Sequence, residues 1–345
     1  MRLLNSIEVR GQQQRRVELY QGDLTFVSED QAFDLLVVSA FPFDYTPTVT
    51  SLIGALHRQG LSVRKLSTLK EVDLRTDFSC WLSREFKPED PNLRFRRILC
   101  FEPQVRGRPP ELVGEIFQAL TPILAEKPDI KKIALPVVAA GDQGHTLDEM
   151  LSPLLDAALH WLDAGLPLDA IKIVVRSDGQ AQVAQRLFSD KKLAYLRSPS
   201  APTAQPMDYD IFISYSRANA SESEALEQAL RQAQPGIRVF VDRNEIDIGS
   251  AWQPQIFENL DRCRKVVALL SPDYVGSKVC KEEFNIAWIR SREAEDDVIF
   301  PIYLFTAERL PTYMKYRNYF DCREGDRSKI EEASRRLLAA LGLSS

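Results

Sequence analysis

Residues 208–216 read Asp-Tyr-Asp-Ile-Phe-Ile-Ser-Tyr-Ser, and residues 265–274 read Lys-Val-Val-Ala-Leu-Leu-Ser-Pro-Asp-Tyr. In each, an apolar run of strand length stops at a serine turn, the pattern of a strand covered on both faces by helices. Reading outward, Ser221–Gln234 has helical spacing, with acidic residues in its first turn to meet the helix dipole. Gly236–Asp242 reads as a strand, Ile256–Arg264 as a helix, Lys281–Arg292 as a helix, Val298–Tyr303 as a strand and Ser328–Leu341 as a closing helix. Strands alternating with helices at this spacing imply right-handed crossovers and a parallel sheet. Such sheets bind ligands beyond the carboxyl ends of their strands, which directs attention to the loops after Ser214, Asp242 and Ser271.

Upstream, Ser198-Pro199-Ser200-Ala201-Pro202-Thr203-Ala204-Gln205-Pro206 reads as an extended spacer, because three prolines among small residues continue neither a helix nor a ladder. The first half repeats the same grammar. Arg16–Tyr20, Asp34–Ala40, Arg94–Phe101, Lys131–Val138 and Ala170–Val175 read as strands, and Thr48–Arg58, Pro109–Ala125 and Leu147–Leu162 as helices. The expected fold class is α/β in two domains, each a mainly parallel sheet flanked by helices, over residues 1–197 and 208–345 with a linker at 198–207.

A chain of 345 residues fits about two domains. With 44 basic against 49 acidic residues, it lacks the basic excess that a phosphate-tracking groove needs, so nucleic acid is not an expected partner. Arg94-Phe95-Arg96-Arg97 reads as a strand with its polar face in water. No apolar run approaches a membrane span of about 18 residues, and the opening Met-Arg-Leu-Leu-Asn-Ser-Ile-Glu turns polar too soon for a signal peptide. Five cysteines without a Cys-x-x-Cys pair fit reduced thiols in a cytoplasmic protein. Three scattered histidines, His57, His145 and His160, argue against a zinc site.

The motifs carry a resemblance. Asp208–Ser216 resembles the opening strand of a TIR domain, Val239–Gly249 its second strand and BB loop, and Val266–Tyr274 its third strand and Ser-Pro turn. Cys280-Lys281-Glu282-Glu283-Phe284 is similar to the family's Cys-x-x-Glu-apolar helix. The resemblance runs from Asp208 to Leu341 and implies a flavodoxin-like sheet. Some members of the family are adaptor modules; others cleave NAD, with a glutamate on this helix acting on the ribose beside nicotinamide. That implies Glu283 as the catalytic residue and NAD as a substrate, with no cofactor and no metal. The bond broken is a C–N glycosidic bond whose transition state has oxocarbenium character, which a carboxylate stabilises. Nicotinamide leaves neutral, so no strong general acid is required. Glu282 points about a quarter-turn away and reads as the solvated member of the pair. Val279 stands where the family often has Trp.

Further site residues follow from position. Tyr215, Ser216 and Arg217 lie just past the first strand, where an arginine can meet a pyrophosphate bidentately. Phe240 packs near the nicotinamide end or is a core strand residue. Trp252 stacks on a base or anchors a loop against a neighbouring subunit. In the resembling enzymes a neighbour's BB loop completes the site, here residues 244–252 with Asn244 and the turn-forming Gly249, so self-association is expected. Trp288 reads as core, and Cys263 and Cys280 as inert small hydrophobes.

In the first half, Val17-Glu18-Leu19-Tyr20-Gln21-Gly22-Asp23-Leu24-Thr25 resembles a macro-domain strand and its Gly-Asp-Ile-Thr turn, whose Asp receives an adenine amino group. Ala134–His145 resembles the strand and glycine loop that cradle a diphosphate, where glycines let backbone N–H groups approach an anion. The resemblance implies a three-layer domain in which Asp23, Gly141 and Gly144 bind an ADP-ribose-like nucleotide. Ser39-Ala40-Phe41-Pro42 replaces the family's Asn-rich loop, which biases the domain toward holding a ligand over hydrolysing one. His145 reads as a surface residue. Together the resemblances imply an NAD glycohydrolase or ADP-ribose cyclase acting in bacterial immune signalling or antiphage defence. The alternatives are a non-enzymatic TIR scaffold and a virulence factor that mimics host TIR domains.

Overall fold

A computed structural model sets the apolar runs of each half side by side. It describes residues 1–10, 15–103, 109–138, 140, 144–197, 207–241, 260–293, 297–308, 310–315 and 318–343. The spacer at 198–206 and the predicted site residues Gly141, Asn244, Gly249 and Trp252 lie outside the described residues. The chain divides into two units, Met1–Ser200 and Ala201–Ser345.

In the first unit the described strands are β1 (Arg2–Glu8), β2 (Arg16–Gln21), β3 (Leu35–Ser39), β4 (Lys70–Leu74), β5 (Cys80–Ser83), β6 (Arg97–Phe101), β7 (Lys132–Pro136) and β8 (Ala170–Val175), in the order β1-β2-β8-β7-β3-β6-β5-β4. The five from β2 to β6 in that order run parallel, and β1 and β5 join them antiparallel. The helices are α1 (Leu52–Arg58), α2 (Val63–Ser67), α3 (Arg75–Phe78), α4 (Pro109–Glu126), α5 (Leu147–Asp163) and α6 (Asp178–Arg197). Leu36, Val38, Ile98, Cys100, Ala134 and Val174 form one core with Ile53 and Leu56 of α1 and Val63 of α2. The alternate residues Leu35, Val37, Leu99, Ile133, Leu135 and Ile173 are equally buried on the opposite face. There α4, α5 and α6 pack on one another and on the sheet. The result is three layers around a mainly parallel sheet, as the sequence implies.

The second unit holds β9 (Tyr209–Ser214), α7 (Ala220–Ala233), β10 (Val239–Val241), β11 (Cys263–Leu270), α8 (Pro272–Gly276), α9 (Lys278–Glu293), β12 (Ile299–Tyr303), α10 (Thr312–Lys315), β13 (Phe320–Asp321) and α11 (Arg327–Ala340). All five strands pair parallel in the order β10-β9-β11-β12-β13. In sequence order this is 2-1-3-4-5, the flavodoxin-like arrangement. Ile211, Ile213, Val267, Leu269 and Ile302 pack on Leu226 and Leu230 of α7 and on Ile330 and Leu337 of α11. Helix α9 packs on the opposite side, against β9 and β12.

Several expectations shift. Residues 263–264 are strand instead of helix end, because Cys263 pairs with Tyr209 and is fully buried while the Arg264 guanidinium reaches Asp210 at 3.7 Å. The strand expected from Gly236 starts only at Val239, since the Asp210 carboxylate takes the Arg238 N–H at 3.0 Å, and Asp242 lies outside the described residues. The arginine run is not a strand with its polar face in water. Arg94 and Arg96 are exposed, but Arg97 is 5% exposed and braced by Glu85 at 2.9 Å and Asp129 at 2.8 Å. A buried guanidinium needs such partners.

Candidate functional site

Strand order decides where each sheet opens. In the second unit the chain leaves β9 to one side for β10 and returns to the other for β11. The crevice between their carboxyl ends is therefore the switch point at which such sheets take ligands. β9 ends at Ser214 and β11 runs into Ser271, which caps α8 by accepting the Tyr274 N–H at 3.0 Å. Ser271 also donates to Asn219 Oδ1 at 2.6 Å, tying the turn after β9 to the turn after β11. Across this crevice α9 presents Glu283, whose Oε2 accepts the Ser214 hydroxyl at 2.5 Å. The Tyr274 hydroxyl lies 2.8 Å from Ser214 Oγ. Ser214, Tyr274 and Glu283 are 1%, 0% and 4% exposed. Burial pushes the Tyr274 phenol well above its ordinary range, and the neighbouring Cys280 and Glu283 add to the effect, so it stays protonated.

The expectation that Glu282 is solvated is corrected: it is 1% exposed. Every residue from Cys280 to Ile289 is buried, Phe284 meeting Tyr313 edge-on at 5.7 Å, so α9 has no solvated side over this stretch. Arg217 is exposed, and Tyr215 and Ser216 are half-buried, all directly past β9. Phe240 stacks on Phe212 at 5.3 Å and meets Tyr209 at 5.1 Å, so one face of its ring is committed to the strand. Trp288 is buried, with the Arg292 guanidinium 5.1 Å from its ring. Cys263 and Cys280 are buried, and their thiols are pushed up to about 12 by desolvation.

In the first unit the equivalent crevice lies between β3 and β7, and a cavity of 680 Å³ opens there. It is lined by Gly22 and Asp23 after β2, Ser39 at the end of β3 and Phe41 beyond it, Pro136 of β7 and Arg176 after β8. Asp23 thus lines this cavity. Its Oδ1 accepts the Thr25 N–H and hydroxyl at 2.8 and 2.7 Å, and its Oδ2 lies 3.5 Å from Arg176. Gly144 is exposed at φ +90° and is not among the lining residues. His145 is half-buried and bridges to Ala140.

One wall of this cavity escaped the sequence reading. Thr46, Thr48, Thr50 and Ser51 are among its lining residues, whereas Thr48–Arg58 reads as helical. The helix starts only at Leu52, with Ser51 as its N-cap accepting from the Gly54 N–H at 3.0 Å. Four hydroxyls in six residues around a proline were the available signal. The wall is fastened at its other end by Glu102, fully buried, which accepts from the Phe43 N–H at 3.2 Å and from the Tyr45 hydroxyl and the Trp81 indole. Among the described residues no helix is long and apolar enough to cross a membrane.

Comparison with solved structures aligns the chain with the Oceanobacillus iheyensis macrodomain with ADP at 18% identity, over 56% of this chain and 96% of that one, with a TM-score of 0.41. The Trypanosoma brucei macrodomain in complex with ADP-ribose aligns at 19% identity over 50% and 68%, with a TM-score of 0.39. Toll-like receptor 2 type-2 of Gallus gallus is 28% identical over 109 residues, 31% of this chain. Toll-like receptor 2 of Mus musculus is 25% identical over 114 residues, 33% of this chain. The chain spans 14% of the length of each of these two receptors. The model of the TIR domain family matches residues 211–338, the stretch that contains the Ser214–Glu283 crevice. Residues 211–338 of this chain are a TIR domain.

Proposed function

We propose that the TIR domain cleaves the nicotinamide–ribose bond of NAD, with Glu283 stabilising the ribosyl cation, and that the cavity of the first unit holds an ADP-ribose-like nucleotide that regulates it in a signalling or immune role. The observation that carries this is the Glu283 carboxylate bonded to Ser214 at the switch point of the sheet. In the reaction the C–N bond breaks, nicotinamide departs with both electrons, and the cation on ribose C1 is captured by water or by the adenine ring. The first outcome gives ADP-ribose and the second a cyclic isomer. A carboxylate beside C1 acts on the charge that develops in this step, where fixed electrostatics contribute most. Arg217, exposed beside the crevice, suits the pyrophosphate.

A carboxylate 4% exposed meets a ribose only once the crevice opens. This supports a requirement for self-association, in which residues 244–252 of a neighbouring copy complete the site. Specific nicotinamide release is expected to rise with protein concentration over the range in which sedimentation shows assembly. A concentration-independent rate from a strict monomer removes the assembly step. The same burial favours a second reading, a TIR interaction module in which Glu283 is structural. Nicotinamide release separates the two.

For the first unit, Asp23 beside Arg176 and the hydroxyl wall supply acceptors and donors for an adenine and a ribose. Calorimetric titration of the full chain with ADP-ribose, with a non-hydrolysed NAD analogue occupying the TIR site, is the test. Binding that weakens by about tenfold in Asp23→Ala is expected, as for loss of a hydrogen bond to a charged group. Identical heats for wild type and variant would remove Asp23 from the site.

A further inference from the structure

We infer that Ser214 and Tyr274 form a two-bond relay that positions the Glu283 carboxylate, an inference that rests on the NAD chemistry proposed above. A serine hydroxyl carries one proton. Ser214 commits it to Glu283 Oε2 at 2.5 Å, so only lone pairs remain for the Tyr274 hydroxyl at 2.8 Å. The phenol must therefore donate to Ser214, and the direction of the chain is fixed as Tyr274 to Ser214 to Glu283. Each group sits on a different element of the crevice: Ser214 at the end of β9, Tyr274 in α8 and Glu283 in α9. The elements are themselves fixed. Tyr274 is held by its N–H to Ser271, and Ser214 lies in register with Ala268 of β11. A carboxylate at the tip of a flexible side chain thus takes its orientation from the rigid end of the sheet. Preorganisation of this kind raises turnover without tightening ground-state binding.

The relay differs from ordinary packing in two respects. Its loss alters the transition state and not substrate capture, and Tyr274 acts only through Ser214. The test is steady-state nicotinamide release by the full chain for wild type, Ser214→Ala, Tyr274→Phe and the double variant, with rates normalised to the folded fraction. Ser214→Ala is expected to lower kcat by about tenfold to a hundredfold, the range for a hydrogen bond to a charged group, with KM within about twofold. Tyr274→Phe keeps the buried ring and is expected to lower kcat by about threefold to tenfold, and to have no further effect once Ser214 is alanine. Unchanged kcat in Ser214→Ala, or a Tyr274→Phe effect that persists undiminished in the Ser214→Ala background, overturns the relay. A folded wild-type protein that releases no nicotinamide removes the NAD reading instead. The relay is then judged on thermal unfolding of Ser214→Ala, Glu283→Gln and the pair: non-additive shifts in Tm support it, and additive shifts overturn it.

Discussion

Glu283→Gln is expected to lower nicotinamide release by at least about a hundredfold, equivalent to about 2.7 kcal/mol of transition-state stabilisation. The amide keeps the shape of the side chain and can still accept the Ser214 hydroxyl, so the packing of α9 against β9 survives. What disappears is the negative charge facing the ribosyl cation. A charge effect in a buried site is far larger than the same effect at a surface, because little water screens it. The neighbour serves as the contrast. Glu282 is 1% exposed, so Glu282→Gln is not a silent surface change. It is expected to lower Tm while sparing kcat per folded molecule. If Glu283→Gln lowers Tm and leaves kcat intact, the glutamate is structural and the interaction-module reading prevails.

The second large effect is expected in the other unit. Gly54 lies inside α1, where alanine ordinarily adds roughly 1 kcal/mol of helix stability over glycine. Here the sign reverses. A Cβ at Gly54 would overlap the Thr48 carbonyl oxygen and stand 2.8 Å from its carbon, both backbone atoms that no rotamer change can move aside. The segment at residues 46–51 must lift from α1, and the Ser51 cap and the hydroxyl wall go with it. Gly54→Ala is therefore expected to weaken ADP-ribose binding by at least about tenfold while the sheet remains folded, because residues 46–51, which line the cavity, are displaced. Calorimetry alongside circular dichroism reads both. Unchanged affinity in a folded variant would mean that this wall takes no part in binding.

Much of the frame was legible because it is local. The apolar runs at Ile211–Ile213 and Val266–Leu270 are covered on both faces, and such strands announce themselves without long-range information. The turn residues that follow, Ser214 and Ser271, mark the crevice for the same reason, and Asp23 after β2 is among the residues that line the cavity of the first unit. What was not legible has a weak local pattern or depends on contacts distant in sequence. β1 and β5 do not alternate in burial, and β4, which does, is only five residues long and is held by its pairing to β5. α6 buries only Ala181, Ala184 and Phe188, too sparse a stripe to read as a helix face. Arg97 and Glu282 look like solvent residues by type, yet both are buried, Arg97 between carboxylates supplied by Glu85 and Asp129. The same holds for chemistry. Glu283 was reached through its motif, but the Ser214 hydroxyl that orients it lies 69 residues away, and no spacing rule connects them.

The central claim is most directly tested by chromatography of NAD after incubation with the assembled wild-type protein and with Glu283→Gln at the same concentration. The expected result is nicotinamide from the wild type, matched one for one by ADP-ribose or a cyclic isomer, with the variant at least about a hundredfold slower. NAD recovered intact from the assembled, folded wild type, or released nicotinamide at equal rates from both proteins, would contradict it.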